Sequence, residues 1–467
     1  MIQIISKKEA YSYDAYHIAK MFFNDEEIRQ QIDKEQEALV KIKLSRGSCF
    51  CVNKENIDKQ SLNRKIYRWF QSETNKELPW GILTGIRPTK IVMKLMKSGL
   101  SEGEIRKKLN DYYYVSKEKM QLSLEVAKRE EALIRQVDCE NGYSLYVGIP
   151  FCPTRCSYCS FTSYPIKQWQ DRVDEYLETL CQEISFVARV MKGKVLSTIY
   201  IGGGTPTTLK EEQLEKLLGH IQKTFSLERL KEYTVEAGRP DSIDSAKLKV
   251  CKKYGVTRIS INPQTMNQKS LEAIGRAHSV EEVESAFNLA RDIGFDNINM
   301  DLIAGLANEG PDDMEATLRK IAKLDPDSLT VHALAIKRAS RMKEEDLQLG
   351  HCAAGLEKML SLSASWAQKM GMQPYYLYRQ KNIAGSFENV GYVKVDKAGI
   401  YNILIMEEVQ SIIAVGAGAT TKVVLKEPID YGGKETNIIR IENVKDVNEY
   451  IKRIDEMMQR KEEWIWR

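Results

Sequence analysis

The sequence predicts an α/β fold built around a partial (β/α)6 TIM-like barrel, with an N-terminal mostly helical α+β domain before it and a C-terminal mixed α/β extension after it. Three observations lead there. From Tyr143 onward, short β-rich runs alternate with amphipathic helical stretches, the pattern of a parallel sheet. Glycine-rich or polar segments recur where those strands should end. The chain of 467 residues also exceeds one ordinary compact domain, and both flanks lose the alternation.

Residues 1–140 form the expected accessory domain. They are rich in Lys, Glu and Gln, with a short apolar opening and helical patterns through "YDAYHIAKMFF" and "SEGEIRKKLNDYY". Between these patterns, "ELPWGILTGIRPTKIVMKLMKSG" is punctuated by Pro79, Gly85 and Pro88 before a helix carrying Lys90.

The core is expected over 141–345. Its strands read as "YSLYVGI", "STIYIG", "EYTVEA", "VTRISIN", "FDNINMDLI" and "DSLTVHAL". Helices are expected to begin near Gln170, Lys210, Ser242, Ser279 and Pro311, giving six strand–helix units. Periodicity alone does not separate a doubly wound open sheet from an incomplete barrel. The remainder, 346–467, holds a helix through "CAAGLEKMLSLSASWAQKMG", a mixed segment with "PYYLYRQKN" and "VGAGATTK", and a charged terminal helix with Trp464 and Trp466.

Charge is nearly balanced at +4, with both signs interspersed, so bulk charge does not suggest nucleic acid as a partner. The opening "MIQIISKKEAYSYD" has no apolar signal core, and no apolar run approaches the length of a membrane span. A cytoplasmic protein is expected.

Nine cysteines in such a compartment argue against a disulfide framework and direct attention to clusters. Cys181, Cys251 and Cys352 lie singly in helical patterns and read as small buried hydrophobes. Cys49 and Cys51 alternate in "SCFCVN" and are expected on opposite faces of a strand, against a shared metal.

The cluster is "GIPFCPTRCSYCSF", in which Cys152, Cys156 and Cys159 fall within eight residues on the loop after the first core strand. Three thiolates on a tight loop suit an iron–sulfur cubane, and three ligands for four irons leave one iron open to chemistry. Structural zinc wants four nitrogen or sulfur ligands, and neither His nor a fourth Cys lies nearby.

Later strand ends extend the constellation. "GGGTP", Gly202 to Pro206, follows the second strand, where absent side chains permit close backbone approach to a ligand. Glu236 ends the third strand, Gln264 follows the fourth and Asp301 sits in the fifth. One strand-end carboxylate is usually a solvated or capping group; a series at one level of consecutive strands favours a barrel mouth. Carboxylates suit ribose hydroxyls or an ammonium, and Arg276 suits a carboxylate.

The CxxxCxxC spacing resembles that of the radical S-adenosylmethionine superfamily. That resemblance implies a 4Fe–4S cluster whose open iron binds the methionine moiety, and reductive cleavage to a 5′-deoxyadenosyl radical. "YVGIPFCPTRCSYC", "YIGGGTPT", "TVEAGRPD", "SINPQTMNQKSLEAIGRAHS" and "NMDLIAGL" are similar, in order, to the motifs of oxygen-independent coproporphyrinogen III oxidase, also called coproporphyrinogen dehydrogenase, and its relatives. The likeness covers roughly Tyr143 to His332, and "LPWGILTGIRPTK" with "CSFTSYP" resembles a divergent branch.

By that resemblance Cys152, Cys156 and Cys159 are the cluster ligands, and Tyr146, Gly203, Gly204, Thr205 and Glu236 contact S-adenosylmethionine. Tyr158, Gln264, Arg276, Asp301 and Ala335 fall where the family contacts the cofactor or a second such molecule. The implied reaction converts two propionates of coproporphyrinogen III to vinyl groups, giving protoporphyrinogen IX in heme biosynthesis without oxygen. It implies an electron donor such as flavodoxin or ferredoxin.

Cationic partners for a tetra-anionic substrate are sought at Arg87, Lys90, Arg379 and Lys381, and ring-packing at Tyr375, Tyr376 and Tyr378. Solvated charges and core tyrosines are the plainer reading of each. The chain departs from the family pattern at Gly148, where much of the family has His, and at Phe161, where the better-known oxidase has a fourth Cys. Heme trafficking, or another radical enzyme acting on tetrapyrroles, stands as the alternative.

Overall fold

The computed structural model describes residues 1–23, 26–53, 57–334, 353–379 and 387–465. The chain divides into two compact units, one comprising Met1–Lys128, Cys352–Glu357 and Leu377–Asn389, the other the remainder.

The first unit contains strands β1 (Ile2–Ser6), β2 (Ile28–Ile32), β3 (Val40–Leu44) and β4 (Cys49–Val52), in the sheet order β2-β1-β3-β4. Helix α1 (Glu9–Phe22) connects β1 to its parallel neighbour β2, and α2 (Lys59–Thr74) follows β4. Ile2, Ile4, Val40, Ile42 and Leu44 alternate with solvent-facing residues and share one core with Ile18 and Phe22 of α1 and Leu62, Ile66 and Phe70 of α2. The Asp58 carboxylate caps α2 by accepting from the amides of Gln60 and Ser61. Helices α3 (Thr89–Lys97), α4 (Glu102–Asp111) and α5 (Lys117–Ile134) follow.

One expectation fails in β4. Residues two apart on a strand share a face, so Cys49 and Cys51 stand side by side, their sulfurs 3.7 Å apart and both exposed.

In the second unit, β5 (Gly142–Ile149) leads through a small parallel pair, β6 (Phe151–Cys152) and β7 (Tyr164–Pro165), into α6 (Val173–Val190). Then come β8 (Val195–Gly203), α7 (Glu211–Thr224), β9 (Glu232–Glu236), α8 (Ser245–Lys253) and β10 (Arg258–Ser260). Helices α9 (Gln268–Ala273) and α10 (Val280–Asp292) precede β11 (Ile298–Ala304), α11 (Pro311–Leu324) and β12 (Ser328–Ala333). The helix expected at Ser279 starts there with a capping box, Ser279 accepting from the Glu282 amide while the Glu282 carboxylate accepts from the Ser279 amide.

The six core strands lie in sequence order and every neighbouring pair is parallel. A doubly wound sheet would reverse its strand order part-way. No reversal occurs, and the partial (β/α)6 barrel is the fold that forms. Contacts across its hollow side link strands that are not neighbours: the Arg258 guanidinium on β10 donates to Ser328 on β12 at 3.0 Å.

After α12 (Ala353–Lys369) the chain adds β13 (Gln373–Arg379), β14 (Glu388–Val393), α13 (Ile400–Glu407), β15 (Ser411–Val415), β16 (Thr420–Asp430) and β17 (Glu435–Glu442) to both edges of the core sheet. The resulting order is β13-β14-β12-β11-β10-β9-β8-β5-β15-β16-β17. Helices α14 (Val447–Lys452) and α15 (Ile454–Ile465) close the chain, held by a buried network on α6. There Glu183 pairs with Lys461 at 2.7 Å and accepts from Tyr450, Asn443 and the Gly416 amide.

Candidate active site at the mouth of the partial barrel

The cysteine loop leaves the C-terminal end of β5 and is braced by the glycine segment after β8. The amides of Gly204 and Thr205 donate to the carbonyls of Ile149 and Phe151, each at 2.7 Å. A side chain at Gly204 would place its Cβ 2.4 Å from the Phe151 carbonyl oxygen, so only glycine permits this approach. The expectation for "GGGTP" was a close approach to a ligand; the close approach seen at Gly204 is to the backbone of the cysteine loop.

Cys156 is buried, while Cys152 and Cys159 are partly open. Cys152 Sγ lies 3.5 Å from Thr205 Oγ1. Burial, together with repulsion from the neighbouring thiols, pushes Cys152 and Cys159 above the ordinary thiol value. Both are protonated at neutral pH until a metal displaces the protons.

Two buried guanidiniums flank this loop. Arg239, just past β9, donates to Cys156 Sγ at 3.6 Å and to the Thr154 hydroxyl at 3.1 Å, and Asp241 holds it bidentately at 2.9 and 2.8 Å. Arg276 donates to the carbonyls of Asn262 and Gly238 and faces Tyr158 and Cys156, which raise its already high pKa against the opposing effect of burial. Arg276 is thus buried beside the loop and not set on a helix surface. His278 lies behind both, fully buried; burial and the two guanidiniums lower its pKa to about 3, so it is neutral.

Deeper in the mouth, the rings of Tyr146, Tyr200 and Tyr401 stack, with Tyr200 4.5 Å from Tyr401 and 6.2 Å from Tyr146. The Tyr200 hydroxyl donates to Glu236. Burial, reinforced by the nearby Asp301 carboxylate, pushes the Glu236 carboxyl up to about 7. Asp301 goes the other way: burial would raise it, but His332 and the Asn299 amide, 2.7 Å from Oδ1, outweigh that and hold it below the usual carboxylate value. Gln264 adopts a left-handed backbone, φ +69°, that lets its amide donate to the Asp301 carbonyl at 2.9 Å and its carbonyl accept from Ile303.

Tyr146, Glu236 and Asp301 thus converge on the hollow face, and the three cysteines, Thr205, Tyr158 and Arg276 converge on the loop above it. Ala335 and Lys381 lie outside the described residues. Tyr200, Arg239, His332 and Tyr401 belong to the same neighbourhood and were not singled out by the sequence reading. Arg239 had a signal, standing in "TVEAGRPD" just after a core strand. Tyr401 arrives from far along the chain and had none.

In "PYYLYRQKN", Tyr375 and Tyr376 pack inward while Tyr378 is half-buried. Tyr375 accepts from Asn402 at 3.0 Å, and the Tyr376 ring fills the space that a side chain at Gly391 would need. In the first unit, Arg379 donates to the Leu83 carbonyl, and burial lowers its pKa to about 10. Lys90 is exposed and Arg87 half-buried.

A profile of the radical S-adenosylmethionine superfamily matches residues 146–321, the segment that carries this constellation. The oxygen-independent coproporphyrinogen-III oxidase-like protein HemZ of Bacillus subtilis is 41% identical over 398 residues, covering 84% of this chain and 78% of that protein. The chain belongs to this oxidase-like family of radical S-adenosylmethionine proteins. Its cofactors are those of the superfamily, a 4Fe–4S cluster and S-adenosylmethionine.

Two further relatives match about half of their own length. The heme chaperone HemW of Bacillus subtilis is 41% identical over 196 residues, 42% of this chain and 51% of its own. The oxygen-independent coproporphyrinogen III oxidase of Escherichia coli is 34% identical over 213 residues, 44% and 46% respectively. The solved structure of the Escherichia coli enzyme HemN shares the fold, with a TM-score of 0.55 over 71% of this chain and 73% of that one at 24% identity.

The residues present fit the cluster. Three thiols lie within eight residues on one loop, Cys156 buried and Cys152 and Cys159 partly open, a donor set that suits a cubane cluster. Two buried guanidiniums beside Cys156 offset the negative charge of thiolate ligation. No helix among the described residues is long and apolar enough to cross a membrane.

Proposed function

We propose that this protein oxidatively decarboxylates two propionates of coproporphyrinogen III, giving protoporphyrinogen IX without oxygen. The observation that carries this reading is the likeness to an oxidase-like protein along 84% of the chain, through both flanks as well as the cluster motif. The cluster and S-adenosylmethionine supply a radical able to take hydrogen from an unactivated carbon.

The chain's own residues then bind, orient and shield. Cys152, Cys156 and Cys159 hold the cluster, with Arg239 and Arg276 neutralising and fixing its loop. Tyr146, Gly203, Gly204, Thr205, Glu236 and Asp301 form the cofactor's cradle, with Tyr158 and Gln264 at its rim. Glu236, neutral below about pH 7 in the free protein, releases its proton when a cationic group arrives beside it. The three stacked tyrosines wall the hollow face against water. A one-electron donor such as flavodoxin or ferredoxin completes the scheme.

Heme delivery is the second reading, favoured by the 41% identity to HemW over 196 residues and by Phe161 in place of a fourth cysteine. One experiment separates the two. With the cluster reconstituted anaerobically and reductant and S-adenosylmethionine supplied, 5′-deoxyadenosine should form in response to coproporphyrinogen III, with a product lighter by two carbon dioxides. Stoichiometric heme binding without turnover would establish the carrier instead.

A further inference from the structure

Cys49 and Cys51 take no part in the site above, and their placement is specific. Their sulfurs lie 3.7 Å apart on the solvent face of β4. The antiparallel register with β3 sets Lys43 directly opposite Cys49 and Lys41 opposite Cys51. Both lysines share the thiols' face, because Val40, Ile42 and Leu44 between and beside them are buried in the core. Partial burial and the neighbouring Cys49 thiol raise the Cys51 thiol above its ordinary value, and the Lys41 and Lys43 ammonium groups act against that rise, in favour of the thiolate that is the nucleophile in disulfide exchange.

The backbone also permits closure. Residues i and i+2 of a strand have Cα atoms ~6.6 Å apart, near the upper end of the ~4.4–6.8 Å that a disulfide spans. A bond made there is strained and exposed, the properties of a reducible bridge rather than a structural one. β4 is the last strand in the order β2-β1-β3-β4, so it can adjust without disturbing a ladder on its outer side.

We propose that Cys49 and Cys51 are a redox-active dithiol that closes reversibly to an intrachain disulfide by exchange with a small-molecule disulfide. One thiolate attacks a sulfur of the small disulfide, forming a mixed disulfide and expelling one small thiolate. The second cysteine thiolate then attacks the mixed disulfide at the protein sulfur, forming the Cys49–Cys51 bond and expelling the second small thiolate. The two expelled thiolates take up the two protons the cysteines lost, and two electrons pass from the protein to the reagent.

The test uses the full chain, reduced, desalted under anaerobic conditions, exposed to excess oxidised glutathione, alkylated with iodoacetamide and digested with trypsin. Arg46 and Lys54 bracket a peptide, 47–54, that holds these two cysteines and no others, so the cluster cysteines do not interfere. The expected peptide carries no alkyl group, is two hydrogens lighter than the reduced form, and returns to the doubly alkylated form after dithiothreitol. The Cys49→Ser variant should instead trap one glutathionyl group on Cys51. A wild-type peptide that stays doubly alkylated, or that carries two glutathionyl groups and no internal bond, overturns the proposal. Replacing Lys41 and Lys43 together by Gln should slow closure roughly threefold at pH 7, and an unchanged rate would remove the lysines from the account.

Discussion

Glu236→Gln provides the sharpest test of the electrostatics at the barrel mouth. The carboxyl sits at the end of β9 among Tyr200, Asp301 and the stacked rings, and it titrates at about 7 in place of 4.5. At ~1.4 kcal/mol for each pH unit, that rise corresponds to roughly 3 kcal/mol of preference for the neutral form in the folded state. The sign follows: the stability that the neutral carboxyl contributes is fully present below pH 4.5 and lost as the pH climbs through 7. Glutamine keeps an acceptor for the Tyr200 hydroxyl and cannot ionise. The variant should therefore unfold at the wild-type denaturant concentration near pH 4.5, and at pH 8 should be the more stable by up to about 3 kcal/mol. Urea titrations of the cluster-free protein at the two pH values measure this. A gap of equal size at both, or a wild type that gains on the variant as pH rises, would refute the reasoning.

Other outcomes follow from neighbouring features. Replacing Cys152, Cys156 or Cys159 singly by Ala should abolish the four-iron cluster, read as iron per chain and the loss of its visible absorption; a full cluster in any one would refute that ligand. Arg239→Gln leaves Asp241 half-buried without its bidentate partner and should cost about 3–5 kcal/mol in a denaturant titration, with much of the loss recovered on adding Asp241→Asn. Lys461→Met strands the Glu183 carboxylate in the core and should cost a similar ~3–5 kcal/mol, visible as a lowered thermal midpoint. Gly204→Ala, whose Cβ would meet the Phe151 carbonyl, should weaken iron retention before it unfolds the protein, measured by iron release to a chelator.

The barrel was readable in the sequence because strand and helix periods alternate cleanly and because Ser279 and Pro311 mark their helix starts in side-chain chemistry. β10 is shorter than "VTRISIN" suggests, because the chain past Ile261 leaves the ladder for Pro263 and the left-handed Gln264. In the first unit, β2 and β3 were not anticipated. β2 is largely polar and exposed, with no alternation to betray it.

The site was legible where spacing within one segment carries the chemistry, as in the cysteine triad. It was illegible where residues meet only through the sheet's curl, as when Tyr401 reaches Tyr200 across some two hundred positions. Cys49 and Cys51 show a third case: the strand is legible in "SCFCVN", and its period of two places both thiols on one face, not on opposite ones.

The strands added beside β5 bear on how the chain can be cut. β15 pairs with β5 in parallel along Tyr143 to Val147, and the Tyr176 hydroxyl ties the Gly148 carbonyl to the Ala417 amide at 2.7 and 3.1 Å. A protein ending at residue 399 would keep every motif residue yet expose the raw edge of the strand that delivers the cysteine loop. Such a fragment is a template for intermolecular pairing. The smallest soluble piece able to assemble a cluster should therefore extend past β15, and nicking between 400 and 415 should release iron as readily as a cut near the cysteines.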